Sequence, residues 1–193
     1  MTHASLSKNH SKKVSHAENQ QERLIMIGWM IGFVDGEGCF SINFIKQPNR
    51  IEKDRIRKGY KTGYQISHEF AITQGESSLE SLEKIKDFFK VGNIYVNKRY
   101  DNHKEHLYRY VVRKREDLAN VIIPFFEKYK LRTYKKENFG TFAVCMNEIG
   151  KGAHLTLKGF VRIAKRTENM NHKKDRSQII KILRNQTSAS RRR

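Results

Sequence analysis

Residues 29–40 read Trp-Met-Ile-Gly-Phe-Val-Asp-Gly-Glu-Gly-Cys-Phe, and this stretch decides the fold. An apolar run reaches into it from Leu24 and stops at the acidic, glycine-rich residues 35–38. Gly28 and Gly32 stand four positions apart, so on a helix they lie on one face. The pattern therefore predicts a helix with a flat stripe of glycine, where a second helix can approach closely.

The helix is predicted to end in a turn that holds a carboxylate between two glycines, with Glu37 flanked by Gly36 and Gly38. Glycine readily supplies the left-handed conformation with which many helices end. A carboxylate at the negative end of a helix dipole is unfavourable for stability. Together with a backbone carbonyl, however, it suits a divalent cation. The alternative is a buried helix that simply ends in a glycine-rich turn.

Residues 30–38 (Met-Ile-Gly-Phe-Val-Asp-Gly-Glu-Gly) resemble the nine-residue signature of the LAGLIDADG homing endonucleases. The resemblance implies a helix that packs against its twin from a second motif, and a catalytic metal bound by the last acidic residue. That residue is Glu37 here, where the family usually has Asp, and the Gly36 carbonyl is expected to join it in binding Mg²⁺ or Mn²⁺. The family's small second residue is Ile31, which should shift the helix contact toward the glycines. The expected dimer interface comprises Gly28, Trp29, Gly32, Phe33 and Asp35, although Asp35 also suits a structural role at the helix end.

Composition favours a polyanionic partner. The 193 residues include 39 Lys and Arg against 20 Asp and Glu, for a formal net charge of +19. Nucleic acid is the commonest partner of such a chain, and a basic ribosome-associated protein is the alternative. Two cysteines form neither a disulfide framework nor a zinc site. No apolar run is long enough for a transmembrane helix, so we expect an intracellular protein without a membrane partner, in a bacterial or archaeal cytoplasm or in an organelle.

The chain is predicted to form one α+β domain over residues 21–170. A flexible basic arm precedes it at 1–20, and a basic tail follows at 171–193. Two strands are predicted at 39–46 and 63–73, and two more at 93–99 and 107–113. Besides the motif helix, helices are predicted at 77–89, 116–129, 135–148 and 156–170. By resemblance this is the αββαββα LAGLIDADG fold, with a four-stranded antiparallel DNA-binding sheet and extra C-terminal helices.

The polar face of this sheet is the predicted DNA-binding surface, because amide, hydroxyl and arginine side chains can read base edges. The loop at 47–62 is rich in Lys and Arg, which suits contacts to phosphates. In the last strand, the pattern does not decide whether Arg109 or the pair Tyr108 and Tyr110 faces the DNA. The predicted DNA-binding residues are Ser41, Asn43, Arg50, Arg55, Arg57, Lys58, Lys61, Gln65, Ser67, Glu69, Asn97, Arg99 and Arg109.

Two further catalytic residues follow from the resemblance. Gln74, at the end of the second strand, is expected to order water at the cleavage site. Lys135 is expected to lie against the scissile phosphate, and Lys136 is the alternative. Single lysines at the start of a helix are also common without any function.

The chain contains no second copy of the motif, whereas cutting both strands requires two centres. A chain with one motif is therefore predicted to act as a homodimer on a long near-palindromic site. The resemblance implies that it is a metal-dependent DNA endonuclease and that it leaves short 3′ overhangs. By resemblance, it is encoded in an intron. The alternatives are an RNA-splicing maturase, which would add intron RNA as a partner, and a regulator that binds DNA without cutting.

Overall fold

The computed structural model describes residues 3–53, 55–60, 62–98, 105–171 and 175–181. The helices are α1 (His3–Glu37), α2 (Leu79–Phe89), α3 (Arg115–Asp117), α4 (Ile123–Lys128), α5 (Lys135–Gly150) and α6 (Leu157–Arg166). The strands are β1 (Gly38–Lys46), β2 (Arg50–Glu52), β3 (Arg55–Arg57), β4 (Tyr64–Gly75), β5 (Asn93–Asn97) and β6 (Leu107–Val112). Short 3-10 turns precede α2 and α6 and follow α6.

The four long strands form one antiparallel sheet in the order β1-β4-β6-β5. Side chains alternate between its faces, and the register opposes Phe40 to Phe70 and Ser41 to Glu69. Apolar residues thus face the helices and polar residues face outward. This architecture confirms the predicted α+β class, the αββαββα order and the four-stranded antiparallel sheet.

The core lies between the inner face of the sheet and helices α2, α4 and α5, and aromatic rings fill its centre. Phe40 is fully buried, with its ring centroid 4.9 Å from that of Phe70 and 5.2 Å from that of Phe139. Met30 and Val34 of α1 belong to the same core. The motif helix is therefore fixed along one side, and its C-terminal end meets the start of β1.

Helix α1 is longer than predicted, because it includes residues 3–20. These residues were expected to form a flexible arm. No glycine or proline, the two strongest helix breakers, occurs before Gly28. Nothing local therefore stops the helix from extending toward the N-terminus.

The motif helix ends at Glu37, but not through left-handed glycines. Neither Gly36 nor Gly38 has a positive φ, so the predicted helix exit is wrong. Gly38 is instead required by close packing: a Cβ there would lie 2.5 Å from Val34 Cγ1 and 2.8 Å from the Val34 carbonyl oxygen. The absence of a side chain lets β1 turn back directly onto the helix.

Three other segments differ from their predicted form. The loop at 47–62 contains the two-stranded hairpin β2–β3. The predicted helix at 116–129 is divided by a π-helical turn at Leu118–Ile122, and Pro124 then stands in the first turn of α4, where proline is tolerated. Residues 175–181 of the predicted tail pack back on the domain, with Ile180 buried. Among the described helices, none is both long and apolar enough to cross a membrane.

Candidate active site

A polar cavity of about 600 Å³ opens where the motif helix meets the outer face of the sheet. It brings together residues that the sequence singled out for different reasons. The predicted residues that line it are Gly36, Glu37, Ser41, Asn43, Glu69, Arg109 and Lys135. The cavity also includes polar residues that the sequence did not indicate, namely Cys39, Asn138, Thr167, Asn171 and Arg176.

Lys135 lies directly beside the predicted metal ligands. As the first residue of α5, it donates a hydrogen bond from Nζ to the Gly36 carbonyl oxygen at 2.9 Å. Burial lowers the pKa of Lys135, and the nearby Cys39, Asp35 and Glu37 oppose this shift. Glu37 is exposed at the end of α1. Lys136, the alternative lysine, is exposed and does not line the cavity.

Asp35 fixes this arrangement from within the chain. Its carboxylate accepts hydrogen bonds from the backbone N–H of Arg132 at 2.7 Å and of Thr133 at 3.1 Å, and from the Thr133 hydroxyl at 2.8 Å. Burial would raise the pKa of Asp35, but these hydrogen bonds and Lys135 lower it overall. Asp35 therefore ties the end of α1 to the loop that starts α5. This contact is intramolecular, in contrast to its predicted place at a dimer interface.

An ion-paired cluster lies on the outer face of the sheet beside the cavity. Glu69 is nearly buried and pairs with Arg109, and its Oε2 accepts from Arg113 Nε at 3.0 Å. Burial would raise the pKa of Glu69, but the two arginines lower it overall. The glutamate holds both guanidinium groups in place. Arg109 therefore faces outward, which resolves the question that the sequence left open for this strand.

The two tyrosines that flank Arg109 point to the opposite face. Tyr110 is fully buried, and its hydroxyl donates to the Val91 carbonyl oxygen at 2.7 Å. Burial raises the pKa of Tyr110. Tyr108 is opposite Gln74 and shares the inner face with it. These tyrosines are part of the fold rather than of the polar surface.

Gln74 lies outside the cavity lining. It is half-buried on β4, two residues beyond Ile72, which is the pairing partner of Gly38. By strand alternation it shares a face with Phe70 and Ile72. The structure thus brings Glu37 and Lys135 together but leaves Gln74 on the other side of the strand.

The other predicted DNA-binding residues are spread over the outer surface. Ser67 and Gln65 continue the outer face along β4, and Gln65 Oε1 accepts from Gln47 Nε2 at 3.1 Å. Asn97 is exposed at the end of β5. Lys61 and Arg99 lie outside the described residues.

The β2–β3 hairpin carries the remaining basic residues. Arg50, Arg55, Arg57 and Lys58 are all exposed. Arg50 is paired directly with Arg57 across the hairpin. Like charges opposite each other are destabilising in a sheet, so this arrangement is better suited to an anionic partner than to an isolated hairpin.

A stripe of glycine is open on α1. Gly28, Gly32 and Gly36 are exposed, and a Cβ built on any of them would meet nothing within 4 Å. Leu24 and Ile25 extend this surface with exposed apolar side chains, 58% and 64% accessible. Trp29 and Phe33 flank it, with ring centroids 5.1 Å apart, and pack against the edge of the core. We call Ile25, Gly28, Gly32 and Gly36 the glycine stripe.

One chain supplies only part of a metal site. Within the described ranges, no group of three or more His, Cys, Asp or Glu residues is close enough to hold a metal ion. Glu37 offers one exposed carboxylate, and the Gly36 carbonyl keeps a second lone pair beyond the one used by Lys135. Hard cations such as Mg²⁺ need about six oxygen ligands. These residues fit such an ion only if other oxygens join them.

Proteins encoded in introns are among the sequence relatives of this chain. The Neurospora crassa protein named "Probable intron-encoded endonuclease 2" is 28% identical over 144 residues, covering 74% of this chain and 28% of the relative. An uncharacterised 50.9 kDa protein in ND4 intron 1 of Podospora anserina is 33% identical over 131 residues, covering 66% of this chain and 25% of the relative. The chain thus spans about a quarter of the length of these relatives.

Solved structures share the fold more completely. The homing endonuclease I-TnaI has a TM-score of 0.64 at 31% identity, and the match covers 83% of this chain and 97% of that one. The LAGLIDADG homing endonuclease I-SmaMI, bound to cleaved DNA, has a TM-score of 0.66 at 27% identity, with 81% of this chain and 47% of that one covered. The family model described as LAGLIDADG endonuclease matches residues 30–146, more than half of the sequence. The chain therefore belongs to the LAGLIDADG endonuclease family.

Proposed function

We propose that this chain is a site-specific endonuclease that cuts double-stranded DNA. The observation that carries the proposal is the cavity in which Glu37 lies beside Lys135 at the edge of a polar sheet. A carboxylate and an ammonium group next to a surface of amide, hydroxyl and arginine side chains suit hydrolysis of a phosphodiester. The net charge of +19 favours the same partner.

The proposed active form is a homodimer whose two α1 helices cross at the glycine stripe. A stripe without side chains lets two helices approach closely, and the exposed Leu24 and Ile25 would be covered in the same step. Symmetric pairing would place Glu37 beside its copy, because an isologous interface repeats the same surface patch on both chains. The site read by such a dimer is nearly palindromic. The match to I-TnaI covers 97% of that chain. This supports a proposal in which each subunit of the active form is a chain of this length.

The dimer would also complete the metal site. Two Glu37 carboxylates and two Gly36 carbonyls, with water and phosphate oxygens, provide enough ligands for Mg²⁺ or Mn²⁺. When bound, such an ion lowers the pKa of water and stabilises the leaving oxygen. I-SmaMI has been crystallised on uncleaved DNA with calcium ions, which supports a divalent cation in this family.

The chain's own residues have separate proposed roles. Lys135, held by the Gly36 carbonyl, offsets negative charge on the phosphate under attack. Gln74 lies on the opposite face of β4, so we assign it no role at this phosphate. Side chains of the outer sheet face read base edges, and the β2–β3 hairpin contacts phosphates at its exposed arginines. Cleavage by two such centres across the minor groove would leave short 3′ overhangs.

Cleavage of a pooled DNA library tests the proposal, with the ends sequenced after incubation in Mg²⁺. Wild type should produce staggered ends at one nearly symmetric motif, and a chelator should abolish them. Glu37→Gln should bind the same DNA without cutting it, because the amide removes the negative charge that holds the cation. Glu83→Gln is the matched control, since Glu83 is exposed on α2, away from the cavity.

Two outcomes would contradict nuclease function. Binding to DNA without cutting in wild type would favour a regulator. Tight binding to a structured intron RNA, again without DNA cleavage, would favour the maturase. Cleavage that persists in Glu37→Gln would instead refute the assignment of that carboxylate.

A further inference from the structure

Arg176 reaches the cavity from a part of the chain that the sequence marked only as a basic tail. It lies near residues 177–181, which form a last helical turn against the domain. Its Nη2 donates to the Ile42 carbonyl oxygen of β1 at 3.2 Å, and its Cζ lies 5.0 Å from the centroid of the Phe44 ring. Two contacts with β1 thus fix the direction of the guanidinium group.

One donor of this guanidinium has no partner. The Nε atom of Arg176 is buried, and neither a hydrogen bond nor an ion pair engages it within the described part of the chain. An unsatisfied buried donor costs about 1–3 kcal/mol unless an acceptor is supplied. Arg176 also lines the same cavity as Glu37, Ser41 and Asn43, so its guanidinium group lies at the edge of the space that a ligand would fill.

We propose that Arg176 binds a backbone phosphate of the DNA at the outer end of the catalytic cavity. The planar guanidinium suits a phosphate because it can donate two parallel hydrogen bonds, and the contacts to Ile42 and Phe44 hold the group in place. Arg176 would therefore be a binding residue of the active site, contributed by the segment after α6. This inference rests on the DNA-binding part of the proposed function.

The salt dependence of DNA binding tests this proposal without knowledge of the target sequence. The probe is a labelled duplex of arbitrary sequence, and its affinity is followed by fluorescence anisotropy over a range of salt concentrations. Loss of one phosphate contact should lower the slope of log K against log [salt] by about 1. We expect this change in Arg176→Gln, which keeps an amide donor for the Ile42 carbonyl but removes the charge.

Arg166→Gln is the matched control, because it removes the same charge from a residue paired with Glu148 at 3.6 Å on α6, outside the cavity. The control should retain the wild-type slope. A slope for Arg176→Gln equal to that of wild type, with only a lower Tm, would overturn the proposal and leave Arg176 as a structural residue. Wild type without salt-dependent binding would instead refute DNA binding itself.

A second variant covers the case in which Arg176→Gln does not fold. Arg176→Lys keeps the charge but loses the planar pair of donors. At a fixed salt concentration it should bind the duplex several-fold more weakly than Arg166→Lys. Equal affinities of these two variants would overturn the proposal.

Discussion

At the scale of single residues, glycines that look alike in the sequence have different roles. Gly38 is required because β1 packs directly onto Val34, whereas the glycines of the stripe face open space. Both kinds occur within eleven positions of one motif, from Gly28 to Gly38, and neither depends on a left-handed backbone. Sequence inspection could identify the motif but could not assign these roles, since both follow from what lies opposite each glycine in space.

Gly38→Ala should therefore destabilise the fold. The new Cβ would meet the backbone of Val34, which cannot move as a flexible side chain can, so we expect a loss of about 1–3 kcal/mol in the free energy of unfolding. Urea denaturation followed by circular dichroism measures this change. Gly140→Ala is the control: its Cβ meets nothing, and alanine is the better helix former by about 1 kcal/mol. Equal stability of Gly38→Ala and wild type would contradict the close-packing account.

At the scale of elements, β4 meets the segment before α6 through a cluster of basic groups. His68 faces inward from β4, His154 lies in the 3-10 turn before α6, and Arg115 begins α3. The Nδ1 atoms of both histidines are buried, and no hydrogen-bond partner engages them among the residues that the structure describes. Burial lowers the pKa of His68, and Arg115 and His154 lower it further. Burial and Arg115 likewise lower the pKa of His154. A hydrogen bond with the backbone of Ile149 acts in the opposite direction, but the pKa is lowered overall.

This cluster predicts a loss of stability in mild acid. Because the folded pKa of each histidine lies below the ordinary 6.5, the unfolded chain binds protons first as the pH falls. Stability is fully present above pH 6.5 and should decrease as the pH is lowered through the folded pKa values. His68→Leu should show a weaker decrease over this range, measured as Tm against pH. An unchanged pH dependence in His68→Leu would exclude this residue as a cause.

The elements also show how much the sequence could predict. Alternating apolar residues located the four long strands, and spaced apolar residues located α2 and α6, because burial against one core imposes those periods. Strand alternation also indicated Ser41, Asn43 and Glu69 but left the direction of Arg109 open. Glu37 and Lys135 came from the family resemblance, and the structure brings all six residues to one cavity. Sequence reasoning missed Asn171 and Arg176, since a polar segment has no periodicity to indicate where it docks. It also missed the start of α1, where Leu6 and Val14 are the only large apolar residues and no helical period can be seen in the sequence.

At the scale of the whole molecule, the glycine stripe determines how two units can meet. If the proposed dimer forms there, Gly32→Leu should prevent it, because a leucine on each helix would keep the two backbones apart. The monomer should remain folded, since the site is open and leucine favours a helix over glycine by about 1 kcal/mol. Light scattering should show wild type at twice the mass of the variant.

Gly140→Leu provides the matched control for this experiment. Gly140 is also exposed on a helix, with nothing near its Cβ, but it lies on α5 and not on the stripe. This variant should have the mass of wild type. A dimer that survives Gly32→Leu would place the contact elsewhere on the surface.

The contacts of the last segment with β1 affect solubility as well as binding. β1 is an edge strand of the sheet, and such strands present hydrogen-bonding groups that can recruit strands from other molecules. Asn171 donates to the Phe40 carbonyl at 3.0 Å, and Arg176 donates to that of Ile42. These bonds occupy two carbonyl groups of the edge, which a foreign strand would otherwise use for pairing. A version of the protein shortened to end before Asn171 would expose this edge, so a truncation made for crystallisation should keep the segment through residue 181 if it is to stay free of aggregates.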